Sequence, residues 1–385
     1  MLRLALGLVV LPTALAAPAQ VDSIGPRGTF AIDLVASRRS PLIAVAVESD
    51  GTLTRTGDGG VSYAPVDTPG ASGLFAADFG ALGTCYVAGD SGVLVSRDGA
   101  QTFAPAGALP SDVRALAASR TVGGEVGVLL VSGDVLLSTD FGASWSTIGS
   151  VGQSVSILGG SGLCSHPTNP GGWAAHVPQV LWRTDDGGAT QTTVPSYDLG
   201  LGLTDVDVLG ATLAGDNWVA SVRENFFGGI FNDFTVHSTD GGATWSFSFP
   251  GSGGVRRYRQ SPHDPAEVWS VDGAGRLARS QDGGLTFSTH SLPAELKANL
   301  VAQSSDPARP IHVSLGWRLG LTDEVGSTFL RAEGDLTPLL VADLAVDPRD
   351  PGHLVVRAEG TVYGIHETFD GGENWSFIPG PTPNA

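Results

Sequence analysis

The chain has 385 residues, of which 42% are hydrophobic and only 16% charged, enough apolar material for a core and too little charge for a wholly disordered chain. Its 54 glycines and 24 prolines read as many turns between short strands, an all-β composition. A formal net charge of −18 repels phosphate backbones and anionic surfaces and argues against nucleic acid as a partner.

The first 20 residues, MLRLALGLVVLPTALAAPAQ, place Arg3 before an apolar run from Leu4 to Leu15 and an Ala14-Leu15-Ala16 cleavage site. Residues 1–16 are therefore expected to be a signal peptide, and residues 17–385 an exported, secreted or periplasmic domain. The apolar run is short and interrupted by Pro12, so no membrane insertion is expected, and no cysteine follows to carry a lipid. Cys85 and Cys164 fall two repeats apart in the scheme below and are expected to be buried free thiols, with a disulfide between them as the alternative in an oxidising compartment. Eight scattered histidines show no metal-ligand spacing, so neither a metal nor a cofactor is expected, and a monomer is presumed.

One octet then recurs along the chain. Its copies are TGDGGVSY from Thr56, SRDGAQTF from Ser96, STDFGASW from Ser138, TDDGGATQ from Thr184, STDGGATW from Ser238, SQDGGLTF from Ser280, TDEVGSTF from Thr322 and TFDGGENW from Thr368. The shared pattern, Ser/Thr-x-Asp-x-Gly-x-x-aromatic, sets acids at Asp58, Asp98, Asp140, Asp186, Asp240, Asp282, Glu324 and Asp370, between 40 and 54 residues apart. Such a period signals propeller blades or another repeat array. The Asp suits an Asx-type turn, the Gly tolerates positive φ, and the aromatic opens the next strand and packs between sheets. All eight acids are accordingly read as structural staples of a hairpin, with no catalytic residue among them.

Each repeat offers three further strands, clearest in the last: LLVADLAVD, HLVVRA, TVYGIHET and NWSFIP. Asp-Pro and Asn-Pro turns at Pro170, Pro265, Pro307 and Pro351 join first strands to second ones. The expected fold is a single all-β propeller of four-stranded blades, eight in number, or seven if one weak repeat is absorbed as an outer elaboration.

With its octets and Asp-Pro turns, the chain resembles the Asp-box (BNR) propellers of the sialidase-like and sortilin-like superfamily. Xyloglucanases and photosystem II assembly factors share this architecture. The resemblance implies the fold and leaves activity open. The sialidase version would need three arginines on separate blades, a Tyr–Glu nucleophile pair and an acidic acid/base. The early Phe-Arg-Ile-Pro signature is missing, since the first strand reads RGTFAIDLVAS, and nothing singles out Tyr258 with Glu267 or Glu295 as nucleophile.

Octets and Asp-Pro turns fall on one face, so variable loops collect on the other, where binding is expected. The fifth repeat carries RENFFGGIFND, read as a loop that sets Phe226, Phe227 and Phe231 among glycines and polar residues. These rings either form a recognition patch or fold back over the blade's edge. Next comes GSGGVRRYRQSP, with Arg256, Arg257, Tyr258 and Arg259 entering the sixth blade. The arginines either receive a carboxylate on a partner or neutralise Asp205, Asp207 or Asp343. The expected function is a non-enzymatic scaffold for a protein or glycan; the alternative is a sialidase-like or xyloglucanase-like glycoside hydrolase.

Overall fold

The computed structural model describes residues 31–155, 160–226, 229–248, 257–272, 275–290, 298–306, 311–314, 319–322, 329–331, 340–347, 350–359, 364–369 and 376–379. Among them lie eight four-stranded antiparallel sheets, each formed from consecutive strands. Two compact units divide them.

The larger unit, residues 27–339, holds seven sheets, and their innermost strands are Ala31–Ala36, Ala76–Phe79, Val113–Ala118, Gly162–Ser165, Val206–Ala214, Arg257–Gln260 and Leu300–Ala302. Side chains alternate across a strand, and both faces are apolar here, so each sheet packs on the one before and the one after. Leu34 and Ala46 face the seventh sheet while Val35, Val45 and Val47 face the second. Second strands such as Val126–Leu130 and Trp173–Val177 are buried throughout for this reason.

Seven apolar layers result, one for each pair of neighbouring sheets, and the last joins Leu300 and Ala302 to Ala31, Leu34, Ala46 and Tyr63. The ring therefore closes between the first and seventh sheets. Ser304 Oγ adds a bond to Pro41 O at 3.2 Å across this seam.

Both forms of the expected blade count are thereby corrected. Seven repeats build the ring of the larger unit, and the eighth forms a four-stranded sheet of its own. Its strands, Leu340–Asp347, Asp350–Glu359, Gly364–Thr368 and Ser376–Pro379, make a sheet in the second unit, where His353 stacks on Phe369 at 4.3 Å. Packing decides the count: the seventh sheet covers the first sheet's outer face, which closes the ring within the larger unit.

Six octets are described, and their bonding is shared. In the fifth sheet, Ser238 Oγ donates to Asp240 Oδ1 at 2.8 Å and accepts from Gly242 N at 2.8 Å. Asp240 then accepts from Thr244 N at 2.8 Å and from Thr244 Oγ1 at 2.6 Å. The same closed circuit links Asp58 to Ser62, Asp98 to Thr102, Asp140 to Ser144, Asp186 to Thr190 and Asp282 to Thr286. A hydroxyl at the seventh position is thus part of the motif. Bonding to the ionised form holds the Asp58, Asp140 and Asp240 carboxyls down at about 2. Glu324 and Asp370 lie outside the described residues.

The fifth position takes positive φ, 99° at Gly242 and 64° at Ala100, the octet that lacks this glycine. The eighth residue packs back onto the preceding sheet: Phe103 on the first, Trp245 on the fourth, Phe287 on the fifth. Even Gln191, which replaces the aromatic, reaches back to Ile148 O at 3.2 Å. Cys85 is buried and Cys164 half-buried, both free.

Candidate functional site

All seven inner strands run in one direction around the ring, so their carboxyl ends gather at the octet face. There side chains cross-link the inner strands. Gln260 Nε2 donates to Ser165 O at 3.1 Å and Leu213 O at 2.9 Å, and its Oε1 accepts from Arg120 Nη1 at 2.8 Å. Burial, and then the neighbouring Arg38, push the Arg120 guanidinium down to about 9. Arg38 pairs with Asp78 at 3.2 Å. Asp78 also accepts from Ala118 N at 2.9 Å, and so fastens the second inner strand to the third.

Above this floor lies a cavity of about 710 Å³, lined by every inner strand of the ring. Its wall includes Asp33, Arg114, His176, Asp207, Arg223, Arg257 and Arg259. Asp33 is a hub: its Oδ1 accepts from Leu34 N at 3.0 Å and from Arg257 Nη1 at 3.2 Å, its Oδ2 accepts from Ala77 N at 2.9 Å, and Arg259 Nη2 also donates to it. Burial lowers the pKa of Arg257, against the attraction of Asp33. Asp207 accepts from Gln179 Nε2 at 3.1 Å and Asn225 Nδ2 at 2.9 Å. His176 is 6% exposed, and burial pulls its imidazole down to about 4.

The fifth sheet carries the rim. The expected loop from Arg223 to Asp233 is instead a hairpin, because Asn217–Phe226 and Ile230–Ser238 stay paired as far as Phe226 opposite Ile230. The ladder continues that far because successive residues keep their cross-strand partners. Arg223 closes a fork on Asp233, at 2.7 and 2.9 Å, and its guanidinium carbon lies 3.8 Å over the Phe231 ring. Phe226 is 42% and Phe231 51% exposed, so neither folds back over the blade's edge. Phe227 lies outside the described residues.

Arg257 and Arg259 face the channel, whereas Tyr258 between them is buried in the layer joining the fifth and sixth sheets. Arg256 is outside the described residues. The acid that meets the two arginines is Asp33, from the first sheet, and not Asp205 or Asp207; the Asp343 side chain lies outside the described residues. That pairing spans 224 positions of sequence for Arg257, which a reading by neighbouring repeats does not reach. The sequence reading also passed over Arg114, Asp33 and His176. A signal was present for two of them: a lone charge in the otherwise apolar first strands VRALAA and AIDLVA.

No family model matches the chain, and no curated protein matches it either. Solved structures do. An ancestral GH74 enzyme superposes with a TM-score of 0.69 at 12% identity, over 91% of this chain and 54% of its own. The GH74 xyloglucanase from Xanthomonas campestris gives 0.61 at 13% identity, over 93% and 69%. YCF48 bound to a D1 peptide gives 0.52 at 17% identity, over 75% and 89%. The fold is that of a β-propeller. At these identities the likeness shows the fold alone, and the chain spans about half the length of the ancestral GH74 enzyme.

Proposed function

We propose that this chain is an exported Asp-box propeller that holds a protein or carbohydrate partner at the channel mouth, on the face opposite the octets, without turning it over. One observation carries this reading. Arg223 lines the cavity and at the same time supports the exposed Phe231 ring, so an aromatic ledge and a polar pocket form one continuous surface.

The hydrolase alternative needs two carboxyl groups across a scissile bond, one presenting a proton. The carboxylates lining the cavity are engaged as acceptors: Asp33 by two arginines and two backbone amides, Asp78 by Arg38 and two amides, Asp207 by two side-chain amides. Glu267 is occupied by Trp269 Nε1 at 2.9 Å and Arg279 Nε at 2.6 Å. That engagement of each described cavity carboxylate favours holding a partner over hydrolysing it.

The test incubates the mature protein with mixed sialosides, β-glucans and an extract of its own cell envelope, and follows by mass spectrometry both new products and retained molecules. A scaffold retains a partner, loses it when Phe226→Ala and Phe231→Ala are combined, and yields no products. Cleavage products would overturn the reading in favour of a hydrolase.

A further inference from the structure

Resting on the reading of this chain as a binding propeller, we infer that its channel receives one carboxylate group, carried on an organic body, at a subsite formed by Arg114, Arg257 and His176. Arg114 is the starting point. Among the described residues its buried Nε has no hydrogen-bond partner, and the one bond it makes runs from Nη1 to Val113 O at 3.3 Å. The other arginines of the cavity wall have carboxylate partners: Arg38 has Asp78, Arg223 has Asp233, and Arg257 and Arg259 share Asp33. A buried guanidinium edge without an acceptor is costly to keep, and its natural complement is a planar carboxylate.

Two further polar groups in the wall share this condition. His176 is more than nine-tenths buried, lines the cavity, and has no hydrogen-bond partner among the described residues. Its ring is seated directly over Gly162, where an added Cβ would come within 2.3 Å of the imidazole Cε1. Glycine at the first position of that strand is what lets the ring occupy its place. Gln303 Oε1, from the seventh sheet, is likewise buried without a partner.

Charge selects the class of ligand. Among the described residues, Arg38, Arg114, Arg223, Arg257 and Arg259 of the wall are set against Asp33, Asp78 and Asp207 and against Asp233, the partner of Arg223, so one positive charge is left over. A single carboxylate balances it. A dianionic phosphate would meet Asp33 and Asp207 with one charge too many. A cavity of about 710 Å³ far exceeds a carboxylate, and walls of Val35, Ala115, Leu163 and Val208 suit an organic body behind the charge.

Calorimetric titration of the full chain with acetate, with glucuronate and with inorganic phosphate, each up to about 50 mM, tests this, since fragments so small are expected to bind in the millimolar range. One carboxylate per chain is expected to bind, and phosphate more weakly. Equal acetate and glucuronate affinities would mean that any carboxylate suffices, and tighter glucuronate that a sugar-borne acid is preferred; both support the subsite. Arg114→Gln is expected to weaken binding at least about tenfold, the equivalent of one charge-assisted pair. Arg114→Lys, which keeps the charge and loses the fork, should fall between the two. Arg97→Gln, over the Phe141 ring and away from the channel wall, should titrate as the parent does. No carboxylate binding, unchanged binding in Arg114→Gln with an unchanged melting curve, or phosphate binding as tightly as carboxylate would each overturn the proposal. None of these results would touch partner capture through Phe226 and Phe231, so the two readings fail separately.

Discussion

The Tyr63 hydroxyl lies 3.0 Å from His312 Nδ1, edge-on to its ring, inside the seam where the first and seventh sheets meet. Tyr63 ends the first octet, and it packs onto the seventh sheet as Phe103, Trp245 and Phe287 pack onto their preceding sheets. Removing only the hydroxyl leaves a polar nitrogen buried. Tyr63→Phe is therefore expected to cost about 1–2 kcal/mol in urea unfolding. A change under about 0.3 kcal/mol would show that the seam is held by apolar packing alone.

The octet acids make stability depend on acid pH. Asp58, Asp140 and Asp240 have folded values of about 2, below the ordinary 3.8. Their contribution is complete above 3.8 and disappears as pH falls through about 2. Thermal melts between pH 5 and 2 should show a midpoint that drops steeply over this interval, and less steeply in Asp240→Asn. Thr244→Val should mimic part of that loss at pH 7, since it removes the 2.6 Å bond to Asp240.

His176 acts higher on the scale. Its folded value of about 4 lies below the ordinary 6.5, so the unfolded chain takes up the proton first. Stability is complete above 6.5, declines as pH falls, and levels off below about 4, with a total loss on the order of 3 kcal/mol. His166 and His237 are also lowered by burial and add to the same slope. Denaturant midpoints at pH 7.5, 5.5 and 4.5 should therefore fall less in His176→Leu than in the parent. Equal slopes would mean that the imidazole is not shielded from water.

Two octets make a matched pair for backbone strain. At Gly284, with φ of 88°, a Cβ would come within 2.1 Å of Val219 Cγ2. Left-handed cost and overpacking together put Gly284→Ala at about 3 kcal/mol. At Ala100, φ of 64° is already borne by an alanine whose Cβ is buried in the layer between the first and second sheets. Ala100→Gly exchanges strain relief for lost packing and chain entropy, and should change stability by less than about 1 kcal/mol.

Strand number, octet spacing and the all-β class were legible in the sequence because each rests on local chemistry: a Ser/Thr–Asp–Gly turn every 40 to 54 residues, and apolar runs between. The serine or threonine at the seventh position was equally visible, yet only the bonds of Ser62, Thr102, Ser144, Thr190, Thr244 and Thr286 give it a purpose. Ring closure was not legible, since eight like repeats do not say which of them meets the first. The same holds for the site. Arg257 was visible as a charge, but its partner Asp33 stands at the far end of the chain, brought close by closure alone. The hairpin at Phe231 was hidden by its glycines, which suggested a loop where the ladder in fact continues.

Because each sheet is complete within one stretch of sequence, no strand crosses from one end of the chain to finish a sheet at the other. The ring is a necklace fastened without a shared thread, and any of its links is a permissible place to cut. New termini between Pro105 and Val113 would leave every described ladder unbroken. A repeat complete in itself can also be gained or lost whole.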